Sequence, residues 1–322
     1  MGAPLILPLV LAGIVSLAAY LAGTPYTLLD SPKFLADFRT QMSFVDEGWE
    51  GQAAIAPGVA YLFALGWGTG WVMLGLSLVG LVLLARQAPA MALVLASLPL
   101  SYLLFMLGNN LFFVRFALPV VPFLCLFAAY AVVALAQMVG RSSGQPGVAG
   151  LVGAGLAIAA LVQPTIDSIR HNVLIGREDT RALAARWALE TVRPGEKLLV
   201  EEYTIRDRRD RAYNGPAWQL DTDELDVNGV PRANPTAPLR GTHRYVMVSS
   251  FQYERFGRGA GRAERQGVFY AALDREWTLA AQFAPGVGNA PVPFDLEDLY
   301  TPFWNLARYE RPGPTIKVYE RP

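Results

Sequence analysis

The chain has 322 residues with 27 basic and 27 acidic side chains, so its formal net charge is zero. Only ten of these charges fall in residues 1–163, and the other 44 lie in residues 164–322. A water-soluble fold cannot leave so long a sequence without a charged face, whereas a bilayer-spanning region followed by a soluble domain can. The composition excludes a basic stripe for nucleic acid, an internal disulfide (one cysteine) and a transition-metal site (two histidines).

Apolar segments predict five membrane spans and one shorter helix. The spans are residues 4–22, 70–85, 89–107, 116–138 and 147–163. A cleaved signal peptide is the alternative for the first span, but its start carries no Lys or Arg and its apolar run is longer than a usual signal core. Three glycines within residues 66–70 weaken a helix there, so we expect a short re-entrant or interfacial helix at 57–66.

The short loops predict the orientation of these spans. Arg86 and Arg141 follow the second and fourth spans and therefore lie on the same side, which the positive-inside rule makes cytoplasmic. Residues 23–56 and everything after residue 163 are then outside. Arg115 is the one short-loop cation on the outer side, and it departs from the rule.

The outer loop, residues 23–56, contains a predicted amphipathic helix. Ser31 followed by Pro32 is typical of a helix start, with the serine hydroxyl as N-cap. Apolar residues then recur at helical spacing: Phe34, Leu35, Phe38 and Met42. Two interpretations stay open, a helix that packs between two spans and a helix that forms one wall of a lipid-substrate site.

Charges close to the bilayer favour the second interpretation. Seven of the ten charges of residues 1–163 lie in this outer loop. Arg115 is expected at the same outer surface, where a guanidinium suits a phosphate or pyrophosphate group. The alternative for Arg115 is a helix-end arginine that extends its charge to the bilayer surface without binding a ligand.

The charged second half predicts a small exterior α/β domain. Its predicted elements are helices at 179–192 and 267–276 and strands at 198–203, 244–250, 278–283 and 315–320. The last span is expected to end at Gln163–Pro164. Residues 204–242 are rich in Asp, Arg, Pro, Asn and Gly and are expected to form a long surface loop.

Two short motifs in this domain are interpreted as structural. Asp221–Thr222–Asp223 matches the Asp-x-Asp that binds a metal and a sugar nucleotide in some transferases, but it lies in a polar stretch typical of solvated turns. Gly257, Gly259 and Gly261 only partly match a phosphate-binding glycine fingerprint, and no acidic ribose partner is apparent.

Several stretches, in chain order, resemble the C-terminal part of bacterial membrane glycosyltransferases. These enzymes are the relatives of the dolichyl-phosphate-mannose–protein mannosyltransferases and of the lipid A aminoarabinose transferase. The stretches are TPYTLLD (24–30) with KFLADF (33–38), RFALPVVPF (115–123), DTRALAARW (179–187) and RPGPTIKVY (311–319).

The resemblance implies a GT-C fold in the bacterial inner membrane, with the active site at the outer face. Such enzymes take a sugar from a polyprenyl-phosphate carrier and pass it to an extracytoplasmic acceptor. The candidate lipid-phosphate or substrate-binding residues are Arg115, Lys33, Tyr26, Asp30 and Trp49. No metal or other cofactor is expected, and the sugar and the acceptor are not specified.

The resemblance also leaves the chemistry incomplete. Members of the family carry their essential acid in the first outer loop, which precedes the part that this chain resembles, so no residue inherits the role of catalytic base. We therefore expect the C-terminal portion of such an enzyme, inactive by itself. The alternative is a non-catalytic membrane protein that presents an exterior α/β domain for binding or assembly.

Overall fold

A computed structural model describes residues 3–48, 51–52, 55–205, 220–227, 235–256 and 262–322. The helices are α1 (Ala3–Gly23), α2 (Tyr26–Leu29), α3 (Ser31–Glu47), α4 (Pro57–Thr69), α5 (Trp71–Gln87), α6 (Pro89–Leu107), α7 (Val121–Ser143), α8 (Pro146–Ile175), α9 (Thr180–Thr191), α10 (Ala237–Arg240), α11 (Ser250–Phe256) and α12 (Arg262–Glu276). The strands are β1 (Leu198–Val200), β2 (Thr222–Glu224), β3 (Tyr245–Ser249), β4 (Thr278–Phe283) and β5 (Ile316–Glu320).

The chain divides into two compact units. The first consists of Met1–Trp49 with Asn109–Leu111, and the second of Glu50–Gly108 with Phe112–Pro322. The predicted boundary between a transmembrane region, 1–163, and an exterior domain, 164–322, falls inside α8 and inside the second unit. That division stays a prediction.

The first unit contains the predicted amphipathic helix as α3, with a different cap. The N-cap is Asp30, not Ser31: the Asp30 carboxylate accepts the backbone N–H of Lys33 at 3.4 Å, and Pro32 lies in the first turn. A carboxylate caps a helix as well as a hydroxyl does, and its negative charge is also stabilised by the positive end of the helix dipole. The rings of Phe34 and Phe38 stack along one face of the helix, 6.3 Å apart.

Length and composition allow three helices of the described chain to cross a membrane. They are α6, the continuous stretch Val114–Ser143 that contains α7, and the stretch Gly147–Thr191, which covers α8 from its second residue and also α9. Helices α4 and α5 meet at an angle of 108° and add a fourth span if they cross as one. Among the described residues, Val10–Gly23 of α1 is a further, shorter apolar helix. The structure therefore supports three or four spans, and the five predicted from the sequence are not confirmed.

Small residues allow α5 and α7 to pack closely. A Cβ on Gly80 would stand 1.8 Å from the carbonyl oxygen of Phe127, so the two backbones touch at this point. The hydroxyl of Ser77 lies 2.7 Å from the carbonyl oxygens of both Met73 and Leu124. Close backbone approach and an interhelical hydroxyl contact are typical of helix packing in membranes.

The break between α4 and α5 falls at one residue, Gly70, whose φ is 93°. The other glycines of the cluster, Gly66 and Gly68, lie inside α4, which extends beyond the predicted 57–66. Gly70 packs on α8, because a Cβ there would stand 3.0 Å from the Cδ atom of Pro164. Only a glycine combines this positive φ with so close a contact.

Helix α8 does not end at Gln163–Pro164 as predicted. It continues through Pro164 to Ile175. A proline inside a helix removes one hydrogen bond and bends the helix, and tertiary packing tolerates it when neighbouring elements cover the bend. Here the α4–α5 break covers it, so the helix carries its polar last turns, including Asp167 and Arg170, out of the apolar stretch.

The sheet of the second unit confirms a small α/β region. The strand order is β2-β1-β3-β5-β4, with β2, β1 and β3 parallel and β5 antiparallel to both β3 and β4. Side chains alternate between two buried faces, as strand geometry requires. Ala184 and Ala188 of α9 cover one face, and Phe269 and Leu273 of α12 cover the other.

Strand β2 corrects the prediction of an uninterrupted loop over residues 204–242. Its sequence, Thr-Asp-Glu, has low strand propensity, and it pairs because the buried β1 offers a free parallel edge. The glycines Gly257, Gly259 and Gly261 lie outside the described residues.

Candidate functional site

The 3-10 helix Leu296–Leu299 begins with a reciprocal cap. The carboxylate of Asp295 accepts the backbone N–H of Glu297 at 3.0 Å, and the backbone N–H of Asp295 donates to Asp298 Oδ2 at 3.0 Å. The two hydrogen bonds satisfy backbone N–H groups that have no partner within the first turn of a helix. Burial raises the pKa of the Asp298 carboxyl to about 7, although hydrogen bonds from Asp295 and Tyr309 act in the opposite direction.

Glu297 joins this segment to the turn that carries Arg115. Its side chain is 6% exposed, and its Oε1 atom accepts the backbone N–H of Val114 at 2.8 Å. Burial raises the pKa of the Glu297 carboxyl, while the hydrogen bond from Val114 and the charge of Arg115 lower it. The carboxylate therefore fixes the first residue of the 3-10 helix Val114–Val120 and lies within the electrostatic field of the neighbouring guanidinium.

Arg115 is exposed, and aromatic rings hold its guanidinium. The Cζ atom of Arg115 lies 4.1 Å from the centre of the Phe113 ring and 4.4 Å from that of Tyr300, and those two rings are perpendicular to each other. Within the described ranges, Arg115 makes no hydrogen bond or ion pair. Both rings lie at the distance of a cation–π contact, and such contacts do not use the N–H donors with which a guanidinium binds a phosphate.

A cavity of about 280 Å³ lies beside this arrangement, within the second unit. Apolar side chains of α4, the ring of Phe112 and the ring of Trp304 form most of its wall, and Asp295, Glu297 and Gln52 supply its polar groups. Gln52 Oε1 accepts the backbone N–H of Phe112 at 3.2 Å, so this part of the wall is held in place. Apolar walls with a few convergent polar groups are typical of small-molecule sites.

Three of the residues predicted from the outer loop lie together in the first unit. Tyr26, Asp30 and Lys33 line one cavity of about 740 Å³. Tyr26 is 72% exposed, Asp30 is engaged as the cap of α3, and the ammonium of Lys33 pairs with Asp37 at 3.1 Å. Asp30 and Lys33 thus have structural partners within α3, and Tyr26 is open to solvent. The predicted role of these three residues in ligand binding stays a prediction.

The other two predicted residues are placed differently. Arg115 belongs to the second unit and is described above with its neighbours in that unit. Trp49 lies outside the described residues.

Sequence reasoning missed the acidic segment that meets Arg115. Glu297 and Tyr300 are more than 180 residues away along the chain, and no periodic pattern connects them. The one local signal was Asp295 followed three residues later by Asp298, which resembles a capping pattern without its usual hydroxyl and glutamate. That signal identifies a helix start, and it does not identify the partner across the fold.

The Asp221–Asp223 motif lies at the start of β2. Asp223 Oδ2 lies 2.8 Å from His243 Nε2 and 3.3 Å from the Lys197 ammonium, so this carboxylate is paired within the domain. The hydrogen bond from His243 and the charge of Lys197 lower the pKa of the Asp223 carboxyl. In the part of the chain that the structure describes, no three His, Cys, Asp or Glu side chains converge as a metal site requires.

The site thus combines a guanidinium in contact with aromatic rings, a buried glutamate and an apolar cavity, all next to helices long and apolar enough to cross a membrane. Its assignment depends on this geometry. A scan against protein-family models, a search of curated proteins and a search of solved structures each found no match.

Proposed function

We propose that this chain binds a polyprenyl-phosphate-linked sugar at the outer surface of the membrane, as part of a glycosyltransferase. The phosphate occupies the N–H edge of Arg115, and the apolar cavity beside it takes the first isoprenyl units. The observation that carries the proposal is the Arg115 guanidinium, in cation–π contact with Phe113 and Tyr300 and with its donors unused by the described residues.

The surroundings of Arg115 support a lipid ligand over a soluble one. The cavity wall is formed by Ile55, Val59 and Phe63 together with Phe112 and Trp304. Val59 and Phe63 belong to α4, an apolar helix that forms a candidate span with α5. A lipid that lies in the bilayer reaches such a wall from the side, with its phosphate at the level of the arginine.

The reaction in this proposal is a displacement at the anomeric carbon. An acceptor hydroxyl oxygen forms the new bond to that carbon, and the bond from the carbon to the phosphate oxygen breaks. The lipid phosphate leaves with the bonding electron pair, and Arg115 stabilises its added negative charge. The proton of the acceptor hydroxyl passes to the carboxylate base that the resemblance places in the first outer loop of the whole enzyme, outside the part that this chain resembles.

A binding measurement tests the role of Arg115. The purified full chain in detergent is titrated with undecaprenyl phosphate, and with undecaprenol as a ligand that lacks the phosphate. We expect Arg115→Ala to weaken the binding of the phosphate by about 10- to 100-fold, the loss of a charge-assisted hydrogen-bond pair. Binding of undecaprenol should be unchanged, since the cavity wall is intact.

Arg141→Ala is the matched control, because Arg141 is a lone arginine in the last turn of α7 and, among the described residues, contacts no aromatic ring. It should bind undecaprenyl phosphate as the unchanged chain does, and the thermal unfolding of both variants should be compared to show that they fold. Equal affinity of the Arg115→Ala variant would contradict the proposal. That result would favour the alternative, a non-catalytic membrane protein with an exterior α/β domain.

A further inference from the structure

A second cavity lies where α8 leaves its apolar stretch. Its volume is about 360 Å³, and it is separate from the Arg115 site except that Trp304 lines both cavities. Both aromatic rings and hydrogen-bonding side chains line it. The side chains that matter here are Trp67, Asp167, Arg170, His171, Phe303 and Trp304.

The aromatic part of this cavity is positioned by the α4–α5 break. Gln163 of α8 accepts the backbone N–H of Trp71 at 3.1 Å through Oε1, and its Nε2 donates to the carbonyl oxygen of Trp67 at 3.4 Å. The ring of Phe303 packs over Gly68. A Cβ atom at Gly68 would lie 3.6 Å from the Cζ atom of that ring. The Phe303 and Trp304 rings meet edge to face at 4.8 Å. These contacts fix three aromatic surfaces around one space.

The polar part comes from the last turns of α8 and the segment after residue 300. His171 Nε2 and Thr301 Oγ1 lie 2.5 Å apart. Asp167 and Arg170 form a loose pair at 3.8 Å, with the Asp167 side chain 29% exposed. This side of the cavity therefore offers both acceptors and donors, and its carboxylate and guanidinium balance each other in charge.

We propose that this cavity binds a saccharide. A pyranose ring has apolar C–H faces that lie on aromatic rings, and a rim of hydroxyls that pair with carboxylate, guanidinium and imidazole groups. A phosphate fits less well, because the Asp167 carboxylate lines the same cavity and repels an anion. A purely apolar ligand would cover the charged Asp167 and Arg170 side chains without offering them a hydrogen bond in place of water.

The inference does not depend on the proposed function, since none of its polar groups belongs to the Arg115 site. If both hold, the sugar lies on the far side of Trp304 from the lipid phosphate, at the surface of the membrane. An acceptor glycan or a sugar of a membrane glycoconjugate would then reach the protein there.

The experiment uses the full chain in a detergent without a sugar headgroup, so that the detergent does not fill the site. Methyl α-D-glucopyranoside, methyl α-D-mannopyranoside and methyl β-D-galactopyranoside are tested by saturation-transfer NMR and by tryptophan fluorescence, with inorganic phosphate as the competing ligand. We expect at least one glycoside to bind with a Kd of about 1 mM, as weak monosaccharide sites do. Phosphate should not compete with it.

Matched variants locate the binding. Asp167→Asn should weaken the glycoside by about tenfold or more, whereas Asp274→Asn, a change of an exposed paired aspartate elsewhere, should leave it unchanged. Trp67→Leu should weaken the glycoside and reduce the fluorescence response, whereas Trp71→Leu, with a similarly exposed ring outside the cavity, should change neither. Arg115→Ala should retain glycoside binding, which separates this site from the lipid-phosphate site.

Two outcomes would overturn the inference. One is that none of the three glycosides binds the folded chain, or that phosphate binds and they do not. The other is that a glycoside binds with the same affinity to the Asp167→Asn and Trp67→Leu variants, with thermal unfolding showing that both are folded.

Discussion

Glu201 is the most deeply buried acid that the structure describes outside the candidate site. It follows β1 at the carboxyl end of the parallel strands and is 3% exposed. Its carboxylate accepts the backbone N–H of Ser249 at 2.8 Å and the hydroxyl of Tyr270. Burial raises the pKa of Glu201 to about 8, with a further contribution from the charge of Glu202, while the two hydrogen bonds oppose the shift.

The raised pKa predicts how stability changes with pH. Between the ordinary value of 4.5 and about 8, the folded chain holds a proton on Glu201 that the unfolded chain has lost. Stability contributed by this group is therefore fully present below pH 4.5 and decreases as the pH rises to 8. Glu201→Gln imitates the protonated form. The Tm of this variant, measured for the full chain in detergent, should gain a few degrees relative to the unchanged chain from pH 5 to pH 8.

Glu190→Gln is the control for this titration, because Glu190 is exposed on α9 and its replacement should follow the unchanged chain at every pH. A Tm difference between Glu201→Gln and the unchanged chain that is constant with pH would show that Glu201 does not titrate in this range. A difference that changes in the opposite direction would mean that the carboxylate is stabilised as an anion.

At the scale of elements, the contact between α5 and α7 depends on Gly80. A Cβ at this position would lie within 1.8 Å of the Phe127 carbonyl oxygen, and a backbone atom cannot move aside as a flexible side chain can. We expect Gly80→Ala to push the helices apart and to lower the free energy of unfolding by about 1–3 kcal/mol or more. The measurement is the Tm of the purified chain in detergent.

Gly75, on the same helix, supplies the comparison. A Cβ there meets nothing within 4 Å, so Gly75→Ala should be neutral or should stabilise the helix by about 0.5–1 kcal/mol. If the two alanine variants unfold at the same temperature, the close approach of α5 and α7 is wrong.

The elements themselves were largely predictable from sequence, and the reasons are local. Pro194–Gly195 follows the end of α9, and the short apolar run after it becomes β1, because both signals act within a few residues. Strand β2 could not be found in this way, since its acidic sequence gains its pairing from β1 and not from its own propensity. The continuation of α8 through Pro164 likewise depends on Gly70, more than 90 residues away.

The candidate site was less predictable than the elements. Arg115 could be selected because it is a lone charge in an apolar sequence, which is a property of composition. Glu297 and Tyr300, which hold and surround it, are brought to it by the fold of the whole second unit. Contacts over such distances are set by packing, and a single sequence does not carry them as a pattern.

At the scale of the molecule, the Val114–Glu297 hydrogen bond constrains the topology. It requires the segment after α8 to lie on the same side of the membrane as the Arg115 end of α7. If α8 crosses once, Gly144 lies on the opposite side, together with Arg86 and Arg141 in the end turns of α5 and α7. The Gly144 side thus carries two arginines, Arg86 and Arg141, and the opposite side carries Arg115. The positive-inside rule therefore predicts that the Gly144 side is cytoplasmic.

Reporters fused to the full chain test this arrangement. One inserted at Gly144 should be active only in the cytoplasm, and one after Pro322 should be active only outside, because a single crossing of α8 separates the two positions. The reverse pair would keep the crossing and overturn the orientation, and with it the outer-surface placement of the lipid-phosphate site. If both reporters read the same side, α8 is not a span, and the Glu297 contact must form without a membrane between Gly144 and the sheet.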